Sequence, residues 1–294
     1  MARPTILVTG ANGQVGHELA RLLAAHGEVQ AVDRATLDLA DADALIAAVR
    51  GLRPDIIVNA GAHTAVDQAE RERDAAFAVN ARAPGILAEE AKASGALLIH
   101  YSTDYVFDGM RSTPYDESAP VNPLNVYGAS KLEGERAIAS SGAHALVLRT
   151  SWIYGVRGKN FLVTIRRLAR ERDELRIVAD QHGVPNWSRA IAEATAALVG
   201  RGVAHLAERS GLYHLSAAGE TTWYGFTQAI LGDVARPRVV PIATLDYPTP
   251  ARRPAYGVLA NARFENTFGY KMPDWQESLA ACLAGIIPDS PPAD

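Results

Sequence analysis

The stretch TILVTGANGQVGHEL, residues 5–19, runs from an apolar strand pattern directly into Gly10, Gly13 and Gly16, and from there into a helical pattern. Few folds accommodate that junction. A strand that turns within a few residues into a helix, with no Cβ in the way, opens a β-α-β unit. Its helix N-terminus then presents backbone N–H groups to an anion such as a pyrophosphate. The strand before and the helix after supply the context that a bare glycine string lacks.

The same alternation continues through the first half. Apolar runs VQAVD (29–33), DIIVNAG (55–61), ALLIHYST (96–103) and HALVLRTS (144–151) separate helical stretches near 14–26, 41–50 and 74–93 and the segment NPLNVYGASKLEGE (122–135). These runs lack the in–out polarity of a half-wet sheet and read as strands buried on both faces. Strands joined by helices imply right-handed crossovers and a parallel sheet. Hydrophobic residues make up 48% of the chain and aromatic ones 7%, which favours helices packed on a sheet over a β-sandwich. The second half predicts helices near 159–171 and 188–199 and a strand over 211–216. The Pro-rich stretch 239–254 can be neither a central strand nor a helix interior. The expected class is therefore α/β, a Rossmann-type doubly wound parallel sheet with a smaller C-terminal substrate-binding lobe. Residues 1–154 form the NAD(P)-binding unit, with sheet elements returning around 186–216, and 155–185 with 217–294 form the lobe.

A net charge of −4 and a pI near 6.1 argue against a nucleic-acid binder. The stretch RRLARERDELR from Arg166 mixes both signs and reads as a solvated helix face. Cys282 stands alone, so no intrachain disulfide forms, as in a reducing compartment. No apolar signal core and no run long enough for a membrane are visible. The expectation is a soluble, cytoplasmic protein, a monomer or homodimer with no membrane partner, whose tail PDSPPAD (288–294) frays.

The glycine turn sets the positions of further cofactor contacts. Asp33 ends the second strand 20 residues beyond Gly13, where a carboxylate accepts ribose hydroxyls, and Arg34 beside it suits a 2′-phosphate. NADH and NADPH both remain open on this reading. Asp38 and Leu39 line the adenine edge, and Ala62, His63 and Thr64 follow the third strand beneath the cofactor. No proton-transfer role is assigned to His63.

Tyr127 and Lys131 stand four residues apart and share one helix face. A free phenol has a pKa of about 10, and a nearby ammonium favours phenolate and lowers that value. The same lysine can hydrogen-bond the nicotinamide ribose. Tyr127 is thus the expected proton source as hydride reaches a carbonyl, with a hydroxyl from Thr103 or Ser102 holding the carbonyl oxygen.

The segments NAGAHTAVDQAE, HYSTDYVFDG, NPLNVYGASKLEGE, RTSWIYG, GKNF, VADQHGVP and YPTPARRP run in order along the chain. With the glycine turn, they resemble the extended short-chain dehydrogenase/reductase family from Thr9 to about Pro254. The resemblance implies reduction of the C4 ketone of dTDP-4-dehydro-β-L-rhamnose to dTDP-β-L-rhamnose, with NADPH as cofactor and NADH as a second option. It implies Thr103, Tyr127 and Lys131 as the catalytic trio. Gly13, Gln14, Val15, Asp38, Leu39, Ala62, His63, Thr64, Tyr101, Tyr127 and Lys131 become cofactor contacts, and Thr103, Asp104 and Trp152 sugar contacts. An aromatic face at Trp152 suits the apolar side of a deoxysugar. Arg252 or Arg253, with Arg253 preferred, suits the diphosphate.

The strand end Thr103-Asp104-Tyr105 lacks the second acid that the family's dehydratases carry, which disfavours elimination. The other readings are an epimerase/reductase or reductase of another nucleotide-linked deoxyketosugar, and a non-catalytic dinucleotide-binding regulatory subunit. Some relatives hold Mg²⁺ through acidic side chains. Glu18 matches one of these, but Arg189 stands where another is expected, so no required metal is predicted.

Overall fold

The computed structural model describes residues 3–232 and 236–285. The Pro-rich tail 288–294 lies outside the described residues. Six strands, β1 (Thr5–Thr9), β2 (Glu28–Val32), β3 (Ile56–Asn59), β4 (Leu97–Thr103), β5 (Ala145–Thr150) and β6 (Gly211–His214), form one sheet in the order β6-β5-β4-β3-β1-β2. Every pairing in it is parallel. The strand order reverses between β1 and β3, which opens a crevice at their carboxyl ends.

Along the central strands successive side chains take opposite faces. Ile6, Val8, Ile56, Val58, Leu97 and Ile99 pack under helices α1 (Gln14–Leu22) and α5 (Ser188–Val199). Leu7, Ile57, Leu98 and Val147 pack under α2 (Ala42–Leu52), α3 (Ala83–Ser94) and α4 (Val126–Ser141). Both faces are therefore apolar, which is why the runs read as continuous.

A second core gathers Phe107, Tyr115, Tyr154, Leu162, Leu175, Phe226, Trp275 and Leu279. The Pro-rich stretch contributes the strand Arg238–Ile242, which carries Pro241 and, among the described residues, pairs only with Glu174–Val178 in a two-stranded sheet. A proline fits there, at an edge, because it has no N–H to donate. The helical stretch expected near 74–93 runs without a break from Arg73 to Ser94. It opens into a π-helical turn over Ala78–Arg82 before α3 begins.

Candidate active site

The glycine turn is shaped for close approach of backbone. Gly10 has φ +71°, and a Cβ there would come within 2.6 Å of the Gly61 nitrogen. A Cβ on Gly16 would reach 2.1 Å from the Gly10 carbonyl oxygen. Gly13 occupies the N-cap of α1 without any side-chain cap, which leaves the first N–H groups of the helix to be met by something else. This cradle fits a dinucleotide pyrophosphate.

Around it, Val15 and Leu39 are buried, and Leu39 packs where a Cβ on Gly61 would strike it. Gln14 starts α1 and accepts a hydrogen bond from Asn160 Nδ2 at 3.0 Å. Asp33 sits just past β2 and accepts from the Ala35 and Thr36 amides at 3.0 Å, and from Asn12 Nδ2. Those donors hold its carboxyl below the usual carboxylate range, the Thr36 amide contributing most. Arg34 is exposed and meets Asp38 at 3.5 Å. Ala62 and His63 follow β3 and Thr64 is exposed beyond them. Asn80, delivered by the π-helical turn, takes the His63 amide at 2.8 Å and donates to the His63 carbonyl at 3.0 Å and to Ser130 Oγ at 3.0 Å. Sequence reading missed Asn80; the available signal was a lone amide within an Ala-rich helical run.

Tyr127 and Lys131 stand on the first turns of α4. Asn125 caps that helix, its Oδ1 accepting from the Gly128 N–H at 2.8 Å. Gly128 is needed, because a Cβ there would lie 2.2 Å from the Tyr105 carbonyl oxygen. The helix thereby docks against the turn Asp104–Val106, which follows Thr103 at the end of β4. Thr103 Oγ1 neighbours the half-buried Tyr127 phenol while donating to Asp104 Oδ1, whereas Ser102 Oγ is buried with no partner. Of the two candidate hydroxyls, Thr103 is the one beside the phenol.

Burial pushes the Tyr127 pKa up to about 12, the neighbouring Thr103 hydroxyl opposing and the Asp104 charge adding to it. Burial also pushes Lys131 down to about 8, with Glu135 opposing. The expected lowering of the phenol's pKa by Lys131 does not occur in this arrangement. Lys131 Nζ turns to His100 Nε2 at 3.1 Å and the Tyr101 carbonyl at 2.5 Å, so desolvation governs the phenol. The Tyr101 phenol lies on the other face of the sheet and meets Thr195 Oγ1 at 2.6 Å. Of Tyr101, therefore, it is the carbonyl that reaches Lys131.

Asp104 is 2% exposed. Its Oδ1 accepts from Thr103 at 3.1 Å and its Oδ2 has no partner. Desolvation raises its pKa to about 7. Trp152 has φ +40°, an outlier for a bulky residue. It stacks on Trp223 with centroids 3.6 Å apart at 11°, over Gly183, whose missing Cβ leaves room for the indole. Arg253 is bound to Asp67 through both guanidinium ends. Arg252 is exposed, its carbonyl held by Asn125 Nδ2 at 2.7 Å.

Comparison with known proteins places the chain in context. The family model described as RmlD substrate binding domain matches residues 4–287. A dTDP-4-dehydrorhamnose reductase of Burkholderia thailandensis is 49% identical, over 96% of this chain and 99% of that one. The enzyme of the same name from Escherichia coli K12 is 44% identical over 95% and 96%. A crystal structure of dTDP-4-dehydrorhamnose reductase from Bacillus anthracis in complex with NADP superposes with a TM-score of 0.90. It has 35% identity and covers 97% of this chain and 100% of that one.

Proposed function

The chain belongs to the RmlD substrate binding domain family, and from that premise we propose that it reduces the C4 ketone of dTDP-4-dehydro-β-L-rhamnose to dTDP-β-L-rhamnose. The reductant is NADPH, with NADH as a second donor. The single observation that supports the chemistry is that α4 sets Tyr127 next to Thr103 and Lys131 on the Tyr101 carbonyl, both toward the carboxyl end of β4.

When bound, the reduced nicotinamide supplies a hydride to the carbonyl carbon. Gly10, Gly13 and Gly16 would hold its pyrophosphate against the start of α1, and Asp33 and Arg34 would meet the adenosine ribose. Tyr127 keeps its phenolic proton at neutral pH because burial holds its pKa near 12. It gives up that proton to the alkoxide oxygen, whose own basicity is higher still while negative charge develops on it. The Thr103 hydroxyl, beside the phenol, would fix the same oxygen. Lys131 would hold the nicotinamide ribose through its amine. Asp104, walled in under Gly257, offers an unpartnered oxygen toward a sugar hydroxyl. The Trp152–Trp223 stack supplies an aromatic wall for the deoxysugar's C–H face.

Purified protein is mixed with dTDP-4-dehydro-β-L-rhamnose and NADPH, and loss of the reduced-nicotinamide absorbance is followed. Turnover is expected, with dTDP-β-L-rhamnose as product. Absence of oxidation with this ketosugar, in protein that binds NADPH, removes the proposal.

A further inference from the structure

A ladder of polar side chains crosses the core beneath Lys131. Thr9, Asn59 and His100 are register partners on β1, β3 and β4, so their side chains leave the sheet in line on one face. Thr9 Oγ1 donates to Asn59 Oδ1 at 2.7 Å, Asn59 Nδ2 meets His100 Nδ1 at 3.0 Å, and His100 Nε2 meets Lys131 Nζ at 3.1 Å. The four residues are between 0 and 2% exposed. Two residues earlier on the same strands, and on the same face, stand Leu7, Ile57 and Leu98. Polar groups in such surroundings cost stability unless each is partnered, and here each finds its partner in the next.

We propose that His100 is the positioning residue of Lys131: its imidazole, braced through Asn59 and Thr9, holds the lysine amine at one point beneath the cofactor cleft. This role rests on the reductase reading of the site.

A lysine amine on a four-carbon stem has many conformers, and a single carbonyl contact leaves it free to pivot. The imidazole adds a second, fixed contact. Burial and the facing Lys131 push the His100 pKa well below its ordinary value, so the ring stays neutral. A neutral ring has one donor and one acceptor nitrogen, so the ladder can run in either direction. With Lys131 charged, Nε2 accepts from Nζ and Nδ1–H donates to the Asn59 carbonyl, the amide having turned over. With Lys131 neutral, Nε2–H donates to Nζ and Nδ1 accepts from the Asn59 amide. The amine keeps its place in both states, as a group beside a proton transfer must.

The test compares wild type with His100→Leu, His100→Asn, His100→Gln, Lys131→Met and the double variant His100→Asn/Lys131→Met. Rates with dTDP-4-dehydro-β-L-rhamnose, NADPH affinity by fluorescence and melting temperature are measured. Asparagine reaches Asn59 but falls short of Lys131, so it keeps the contact to Asn59 that leucine removes. Glutamine reaches Lys131. His100→Asn is expected to lower kcat about 10- to 100-fold, and His100→Gln to recover most of it. In the Lys131→Met background His100→Asn is expected to cost no more than about twofold further, in rate or in NADPH affinity. Full additivity in the double variant, an unchanged kcat in His100→Asn, or a glutamine no better than asparagine overturns the role. Wild-type turnover accompanied by such additivity sinks the positioning role alone. A wild type that turns over no ketosugar sinks the reductase reading and this role with it.

Discussion

Arg253 grips Asp67 with both ends of its guanidinium, Nη1 to Oδ1 at 3.0 Å and Nη2 to Oδ2 at 2.7 Å, while the Ala251 N–H donates to the same Oδ1 at 3.1 Å. The pair ties the loop after Pro250 to the short helix Val66–Ala69, and the arginine is the main reason the Asp67 carboxyl titrates low. A fork already spread for two oxygens is also the shape a diphosphate needs. Binding of substrate through Arg253 would then exchange one anion for another.

Arg253→Ala is accordingly expected to raise KM for the nucleotide sugar about tenfold, equivalent to about 1.4 kcal/mol, with a smaller change in kcat. Arg253→Lys is expected not to restore it, since a point charge cannot span both oxygens. Steady-state kinetics on the two variants decide the matter. An unchanged KM in Arg253→Ala would confine the residue to tying the loop.

Tyr127→Phe removes the proton while keeping the ring that meets Tyr105 edge-on at 5.7 Å between centroids. The fold and the NADPH affinity are expected to survive, and kcat to fall about 10²- to 10⁴-fold. Single-turnover absorbance measurements with a parallel binding titration separate the two. A variant with an undiminished rate would take the acid role away from Tyr127.

Asp104 predicts a pH dependence of stability. Its folded pKa is raised from 3.8 to about 7 by burial, so between those values the folded chain holds a proton that the unfolded chain has lost. Its contribution is therefore fully present below about pH 4 and declines as pH rises through about 7. Asp104→Asn lacks this titration. The melting temperature of wild type relative to Asp104→Asn should thus fall on going from about pH 4 to about pH 7. Thermal melts across that range should diverge in this direction; parallel curves would mean that Asp104 titrates normally.

The parts of this molecule that could be read from the chain are those determined by near neighbours in sequence. Ile56–Asn59 and Leu97–Thr103 are recognisable as strands because every residue in them is buried. Tyr127 and Lys131 are linked by helical spacing, and Gly10 by the turn it must make. What escaped depends on partners far away. Trp152 reads as an isolated aromatic, yet its stacking partner is Trp223 and its floor is Gly183. The π-helical turn at Ala78–Arg82 lies within a stretch whose composition is fully helical. Its use becomes visible only when Asn80 is seen holding His63 and Ser130. The phenol's pKa went the other way from expectation because helical spacing sets where the Lys131 stem begins, whereas His100 and the Tyr101 carbonyl set where Nζ ends. His100 itself carried a signal, a titratable residue directly after the apolar run Ala96–Ile99, that only strand register turns into a contact.

The last prediction concerns metal. Glu18 on α1 lies 3.6 Å from Arg21, and Arg189 at the start of α5 donates to Glu193 at 2.9 Å while stacking over Trp187. Among the described residues no group of three or more His, Cys, Asp or Glu side chains is placed to hold a metal ion. A divalent cation there would have to displace one guanidinium and approach another, and Mg²⁺ gives up its water reluctantly even to carboxylates. Activity and solution mass are therefore expected to be the same in EDTA and in millimolar Mg²⁺. Arg189→Glu removes the repelling charge and adds an oxygen donor, so this variant is expected to gain a Mg²⁺-dependent rise in melting temperature that wild type lacks. Turnover assays and light scattering on both chains make the comparison. Loss of wild-type activity in EDTA, restored by Mg²⁺, would show that the cation binds despite Arg189.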